Sequence, residues 1–122
     1  MILVTGGTGL LGSHLLLSLV RAHKEVIALK RSSSDIEEVR RVFSYYRSGE
    51  DELTALFGRI RWIDAGLLNQ ADMEQAFEGV ERVYHCAATV SFQPRDRQKI
   101  IRFNTDSTAC VVSACLAAGV QK

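Results

Sequence analysis

The sequence predicts an α/β domain: a doubly wound parallel sheet of four strands in the order 3-2-1-4, with helices on both faces. Three observations predict it. Short apolar runs alternate with helical segments along the whole chain. A glycine-rich turn joins the first apolar run to the first helix. The composition, 47% apolar and 24% charged over 122 residues, is that of an ordinary globular domain. Alternating strands and helices imply a parallel sheet, and the right-handed crossover rule leaves few strand orders open. The length suits one domain, residues 1–122, with no repeat, low-complexity tract or linker.

Charge and hydropathy exclude several function classes. Fifteen basic residues face fourteen acidic ones, a net charge of +1 with no block of like sign. Such a chain is no obvious binder of nucleic acid or of a membrane surface. No stretch reaches the ~20 apolar residues of a membrane span. The run Leu15–Val20 is interrupted by Ser18 and closed by Arg21. Met1 leads directly into a strand-like run, which is no export signal. Cys86, Cys110 and Cys115 cannot all pair within one chain, and we read them as reduced thiols of a cytoplasmic protein.

Taken in order, Ile2–Thr5 is a buried strand ending in Gly6-Gly7. Leu10 to about His23 is a helix, with Leu11, Leu15 and Leu19 stacked inward and Ser13, His14, Ser18 and Arg21 outward. Glu25–Leu29 is the second strand. Ser34 with Glu37 forms a capping box, behind which Ile36, Val39, Phe43 and Tyr46 share a face. Glu50–Phe57 is a short helix, acidic at its start and stopped by Gly58. Ile60–Ile63 is the third strand, and Arg59 and Arg61 suggest that it is a sheet edge. Asn69 caps a helix through Phe77, and Val80–Cys86 is the fourth strand. A long helix from about Asp96 to Ala118 carries Ile100, Asn104, Val111, Cys115 and Ala118 roughly in line.

The motif with chemical content is Thr5-Gly6-Gly7-Thr8-Gly9-Leu10-Leu11-Gly12. Gly6, Gly9 and Gly12 stand where a strand turns into a helix. A dinucleotide asks for glycine there three times: for a tight turn, for close approach of the backbone to the pyrophosphate, and for close helix–strand packing. Bare N–H groups and the helix dipole then hold the anion. Strand before, amphipathic helix after and βαβ spacing together favour nucleotide binding over a plain turn. A P-loop does not fit, because Ser13-His14 stand where Lys-Ser/Thr is required.

The end of the second strand bears on the cofactor. An acid about 20 residues beyond the glycines would hold a free ribose 2′-hydroxyl. This chain has Lys30-Arg31 instead, two cations suited to a 2′-phosphate, with Arg the better fork. The reading is NADP in preference to NAD, with NAD possible.

These residues resemble the extended short-chain dehydrogenase/reductase family, which includes nucleotide-sugar epimerases and dehydratases and dihydroflavonol-type ketone reductases. Thr5–Leu15 is similar to its TGxxGxxG segment, Val83–Ala88 to its strand ending in a small-residue pair, and Phe103-Asn104-Thr105 to the segment with its structural Asn. The resemblance implies a Rossmann-type sheet cut short before its fifth strand. It implies cofactor contacts from Gly6, Gly9, Leu10, Leu11 and Gly12 at the turn and from Lys30 and Arg31 beyond the second strand. Asp64 and Ala65 would face the adenine, although Ala65-Gly66 differ from the usual residues there. Ala87 and Ala88 would line the cofactor.

The family's Tyr and Lys, spaced Y-x-x-x-K, do not occur: Val20, Val26, Arg95 and Ala118 stand four residues before Lys24, Lys30, Lys99 and Lys122. We therefore expect no catalytic residue here. The chain reads as the cofactor half of an oxidoreductase or epimerase, inactive alone, whose small-molecule substrate is bound mainly by segments beyond residue 122. The alternative is a non-catalytic NAD(P)(H)-sensing regulator. His14, His85 and Cys86 read as structural, Trp62 and Tyr84 as core or cover, and no cluster has metal-ligand spacing. Self-association, as a homodimer, is expected through an unpaired Val83–Cys86 edge or the broad apolar face of the last helix.

Overall fold

The structure is a computed structural model and describes residues 1–46 and 49–122. Four strands, β1 (Ile2–Thr5), β2 (Val26–Lys30), β3 (Ile60–Asp64) and β4 (Arg82–His85), form one sheet in the order β3-β2-β1-β4. Every pairing is parallel. The order and the edge position of β3 are those the sequence predicts.

Strict alternation along the strands builds two cores. Ile2 and Val4, Val26 and Ala28, and Ile60 point to one face, where they meet α1 (Leu10–Ala22), α2 (Glu37–Tyr45) and α3 (Glu50–Phe57). Leu3, Ile27 and Leu29 point to the other, against α4 (Gln70–Phe77) and α5 (Arg97–Ala118). Burial on both faces is why the strands read as continuous apolar runs. Phe43 fills the first core and Phe77 the second. Trp62 and Tyr84 are half-buried against the first core, cover residues as expected.

Several local expectations change. On α1 the buried face is Ser13, Leu16, Leu17 and Val20, with Leu19; Leu11 is exposed and Leu15 half-buried. Ser13 faces inward beside Gly12, and its buried hydroxyl is satisfied by donating to the Leu10 carbonyl at 3.0 Å. At the start of α2 the N–H of Glu37 donates to Asp35 Oδ1 at 2.9 Å, so Asp35 does the work assigned to Ser34. Val39 and Phe43 are buried, but Ile36 is half-buried and Tyr46 exposed, its ring edge-on to His14 at 5.7 Å. Gly58 ends α3 with a right-handed φ of −65°, so a left-handed cap is not what stops that helix. Asn69 caps α4 as expected, accepting the Asp72 N–H at 3.1 Å. On α5 the buried residues are Ser107, Val111 and Ala114, while Ala118 is exposed.

The β4 edge differs most. Its outer side is met by the chain's own last residues: Val83 N–H donates to Lys122 O at 2.8 Å, and Gln121 N–H to Glu81 O at 2.9 Å. The segment after α5 thus turns back alongside β4, and the Val83 end of the edge that the sequence left bare is occupied.

Candidate functional site

The site lies at the carboxyl ends of the strands, where β1 and α1 diverge, the usual crevice of an open α/β sheet. A cleft of about 400 Å³ opens there. Its floor is the β1–α1 turn, with Gly6, Thr8 and Gly9. One wall comes from the β2 end, with Leu29, Lys30, Arg31 and Ser34. A second follows β3, from Ala65 to Leu68, and a third follows β4, from Cys86 to Thr89, with Phe103 of α5 behind it.

The three glycines have different physical reasons. Gly6 has φ +69°, and a Cβ there would lie 2.5 Å from Ala87 N, so turn and β4 meet without room for a side chain. At Gly12 a Cβ would lie 2.0 Å from the Gly6 carbonyl oxygen. These two hold the turn, the helix and β4 together. Gly9 is unlike them. Its φ of −79° suits any residue. A Cβ there would meet only Gly6 O at 3.4 Å, an ordinary contact. The folded chain makes no demand for glycine at position 9, whereas an anion seated on the helix start does.

That helix start is open. Gly9 offers no side chain to cap α1, and the first turn carries no acid. Its forward-pointing N–H groups and positive dipole end are thus available to a phosphate. Leu10 and Leu11 project outward, 81% and 71% exposed, and do not line the cleft with their side chains. What they offer the helix start is backbone N–H groups alone.

The two cations are separated by the fold. Lys30 and Asp64 are register partners at the ends of β2 and β3. Their side chains form an ion pair, Lys30 Nζ to Asp64 Oδ1, at 2.5 Å. Arg31 lies beyond the strand, exposed; its carbonyl accepts the Ser34 N–H at 2.9 Å, and its guanidinium has no hydrogen bond or ion pair among the described residues. Asp64 is turned to Lys30 and is not part of the cleft wall, which Ala65 and Gly66 form in its place. Gly66 N–H is held by Asp72 Oδ2 at 3.2 Å.

The β4 side is built on a hydrogen-bond relay. Ala87 N–H donates to the hydroxyl of Thr5, which is fully buried, at 3.2 Å. Thr5 Oγ1 is 2.7 Å from His85 Nδ1, and His85 Nε2 is 3.1 Å from Thr108 Oγ1 on α5. Ala87 N–H, the Thr5 hydroxyl, the His85 ring and the Thr108 hydroxyl thus form one continuous chain of hydrogen bonds. Asn104 makes a second clamp, accepting the Thr89 N–H at 2.8 Å and donating to the Thr89 carbonyl at 3.1 Å. The Ala87–Thr89 backbone is therefore pinned at both ends. Burial pushes the Cys86 thiol up, keeping it protonated, which fits its reading as a small packed residue.

Burial also holds His85 below its ordinary value of 6.5. The unfolded chain then binds more protons than the folded one just below that value. Stability is intact above 6.5, declines as pH falls toward the lowered folded value, and levels off beneath it. The urea midpoint should accordingly drop between about pH 7.5 and about pH 5.5, and the drop should shrink in His85→Gln. An identical drop in that variant would remove His85 as its source.

Sequence reasoning missed Thr8, Leu29, Ser34, Gly66, Leu67, Leu68, Thr89 and Phe103 as wall residues. Thr8 had a signal from its place inside the glycine motif, and Phe103 as neighbour of Asn104. Most of the others lie in loops whose path depends on what packs beneath them.

Fold and site together define a nucleotide-binding α/β domain of Rossmann type. The chain matches the NAD dependent epimerase/dehydratase family over residues 2–122, and it belongs to that family. It is 31% identical over 120 residues to sterol demethylase protein B of Methylococcus capsulatus, covering 98% of this chain and 32% of that protein. It is 28% identical over 119 residues to a mouse decarboxylating sterol-4-alpha-carboxylate 3-dehydrogenase, covering 98% of this chain and 27% of that one. In fold it superposes on a UDP-glucose 4-epimerase from Stenotrophomonas maltophila with bound NAD, at TM-score 0.75 and 22% identity, over 98% of this chain and 34% of that chain. The chain thus spans about a third of the length of the relatives it matches. Among the described residues no helix is long and apolar enough to cross a membrane.

Proposed function

We propose that this chain is the cofactor-binding portion of an NAD(P)-dependent reductase, dehydrogenase or epimerase, and that it binds NADP in preference to NAD. The observation that carries the dinucleotide reading is Gly9: an empty Cβ position, in an ordinary backbone conformation, at the uncapped start of α1. The pyrophosphate would be held by the backbone N–H groups of Leu10, Leu11 and Gly12, since that of Gly9 is taken by the Gly6 carbonyl at 3.1 Å. Ala87 and Ala88 present a backbone wall of small residues to the rest of the cofactor. When bound, the dinucleotide supplies a nicotinamide ring that takes up or gives a hydride. This chain's residues bind and orient it, and keep the β4 wall rigid through Thr5, His85 and Asn104. The substrate and its acid/base groups belong to the remaining length that the relatives possess.

Arg31 carries the preference for NADP, because it is the cation of the pair left without a partner. Calorimetric titration should show tighter NADP than NAD binding, and Arg31→Ala should reduce the difference by about tenfold. A preference for NAD that the substitution leaves unchanged would overturn it.

A homodimer through α5 is part of the same reading. Ile101, Val112 and Leu116 are exposed along its outer side, whereas the β4 edge is partly covered. Light scattering over a concentration series should show a mass of two chains, and Leu116→Glu should return it to one. A single-chain mass at every concentration would refute it. Three free thiols fit a cytoplasmic setting.

A further inference from the structure

The sequence offers Lys30 and Arg31 as equal cations, but the fold gives them different surroundings. Lys30 is the last residue of β2, and its side chain is 16% exposed. Asp64 is the last residue of β3, and its side chain is 59% exposed. Register places the two directly opposite each other, so their side chains leave the same face of the sheet. The pair is reinforced by the backbone just beyond it, where Ala65 N–H donates to the Lys30 carbonyl at 3.0 Å. The guanidinium of Arg31, the next residue, has no partner among the described residues. The local charge of the three groups is therefore +1 and not +2, and the missing unit is the one Asp64 cancels.

From this arrangement we infer that Asp64 sets the strength of 2′-phosphate recognition: it is a positioning residue that holds Lys30 in an ion pair and so withholds that ammonium from the phosphate. The inference rests on the dinucleotide reading above and deepens it. A 2′-phosphate carries close to two negative charges near neutral pH, and it would reach the β2 end of the cleft, where Lys30, Arg31 and Ser34 stand together. With Asp64 in place it meets one net positive charge. With Asp64 neutralised it meets two, and the Lys30 ammonium, its three donors released, can turn to it. NAD has no charge at that position and is indifferent to the change. Asp64 is thus a brake on discrimination, not a contact to the adenine.

The test is a double-mutant cycle read by calorimetric titration of NADP and NAD into wild-type protein, Asp64→Asn, Lys30→Met and the double variant, with folding checked by circular dichroism. Asp64→Asn should raise the ratio of NAD to NADP dissociation constants by about threefold to tenfold, with NAD affinity nearly unchanged. Its NADP affinity should also fall more steeply with salt. Lys30→Met alone should lower the ratio, because Asp64 is then an unpaired anion beside the phosphate. The double variant should return close to wild type. The rise would come in a variant that has lost an ion pair, which a merely structural role for Asp64 does not produce. Equal weakening of both dinucleotides in Asp64→Asn would mean direct contact with the shared adenosine and would overturn the inference. So would an unchanged ratio in Asp64→Asn, or, should that variant not fold, an unchanged ratio in Lys30→Met. Wild-type protein that binds neither dinucleotide would overturn the site itself, and the inference with it; that result differs from binding of both with a fixed ratio.

Discussion

Gly9→Val should abolish binding of both NADP and NAD while leaving the protein folded. The branched side chain would grow from a position whose only near neighbour is the Gly6 carbonyl oxygen at 3.4 Å. Backbone strain does not arise, since φ is −79°. The cost to the fold is limited to a poorer helix cap, about 1 kcal/mol or less. The cost to binding is steric and total in kind, because the methyl groups would occupy the approach to the α1 amides. A fall in affinity of at least about 100-fold, roughly 2.7 kcal/mol, is expected for both cofactors. Titration and thermal melting of the same sample check it. Undiminished affinity would take the turn out of the site. Lost binding together with a collapsed melting temperature would mean that the turn, and not the ligand, required glycine there.

Gly12→Ala should do the reverse, with its main cost falling on the stability of the fold. A single methyl group at Gly12 would lie 2.0 Å from Gly6 O, 2.7 Å from Gly6 C and 3.0 Å from Gly7 Cα. All three atoms are backbone, so no side-chain rotation can make room. Either α1 lifts from the turn or the turn moves against β4, where Gly6 already leaves no space beside Ala87. Overpacking of this kind costs about 3 kcal/mol, and for a domain of this size that lowers the melting temperature by roughly 10–20 °C. A melting temperature within a few degrees of wild type would show that the helix can shift freely. The contrast between the two variants matters more than either result. Neighbouring glycines of one motif would be separated into one that the fold needs and one that the ligand needs.

Much of the architecture was legible because both of its governing signals are local. Strands buried on two faces leave unbroken apolar runs, as at Ile2–Val4 and Val26–Leu29. The glycine turn was legible because its demands on φ and on Cβ are made by neighbours within a few residues. The helix faces were less legible. Leu11 and Leu15 have the spacing of an inward stripe on α1, yet Ser13 and Leu17 take the inside. What turned the helix is the close approach of Gly12 to the β1–α1 turn, a contact between segments that periodicity does not see. Ser34 and Asp35 were both able to cap α2, and the path of the loop chose Asp35.

The residues alone carried the strand order, the position of the turn, the nucleotide-binding class and the two cations at the end of β2. Each follows from properties that a short window of sequence holds: side-chain volume, alternation, the missing Cβ of glycine, the sign of a charge. Pairings between distant segments came only with the folded chain. Asp64 stands opposite Lys30 because β3 lies beside β2 in one particular register, and a shift of one residue would have set Ile63 there. Thr5, His85 and Thr108 join in one relay because β1, β4 and α5 converge, although their positions in the chain are far apart. Val83 finds the carbonyl of Lys122 because the chain turns back after α5. Charge, donors and acceptors are written in the sequence, but which of them cancel depends on distances of about 3 Å that strand register and helix packing set.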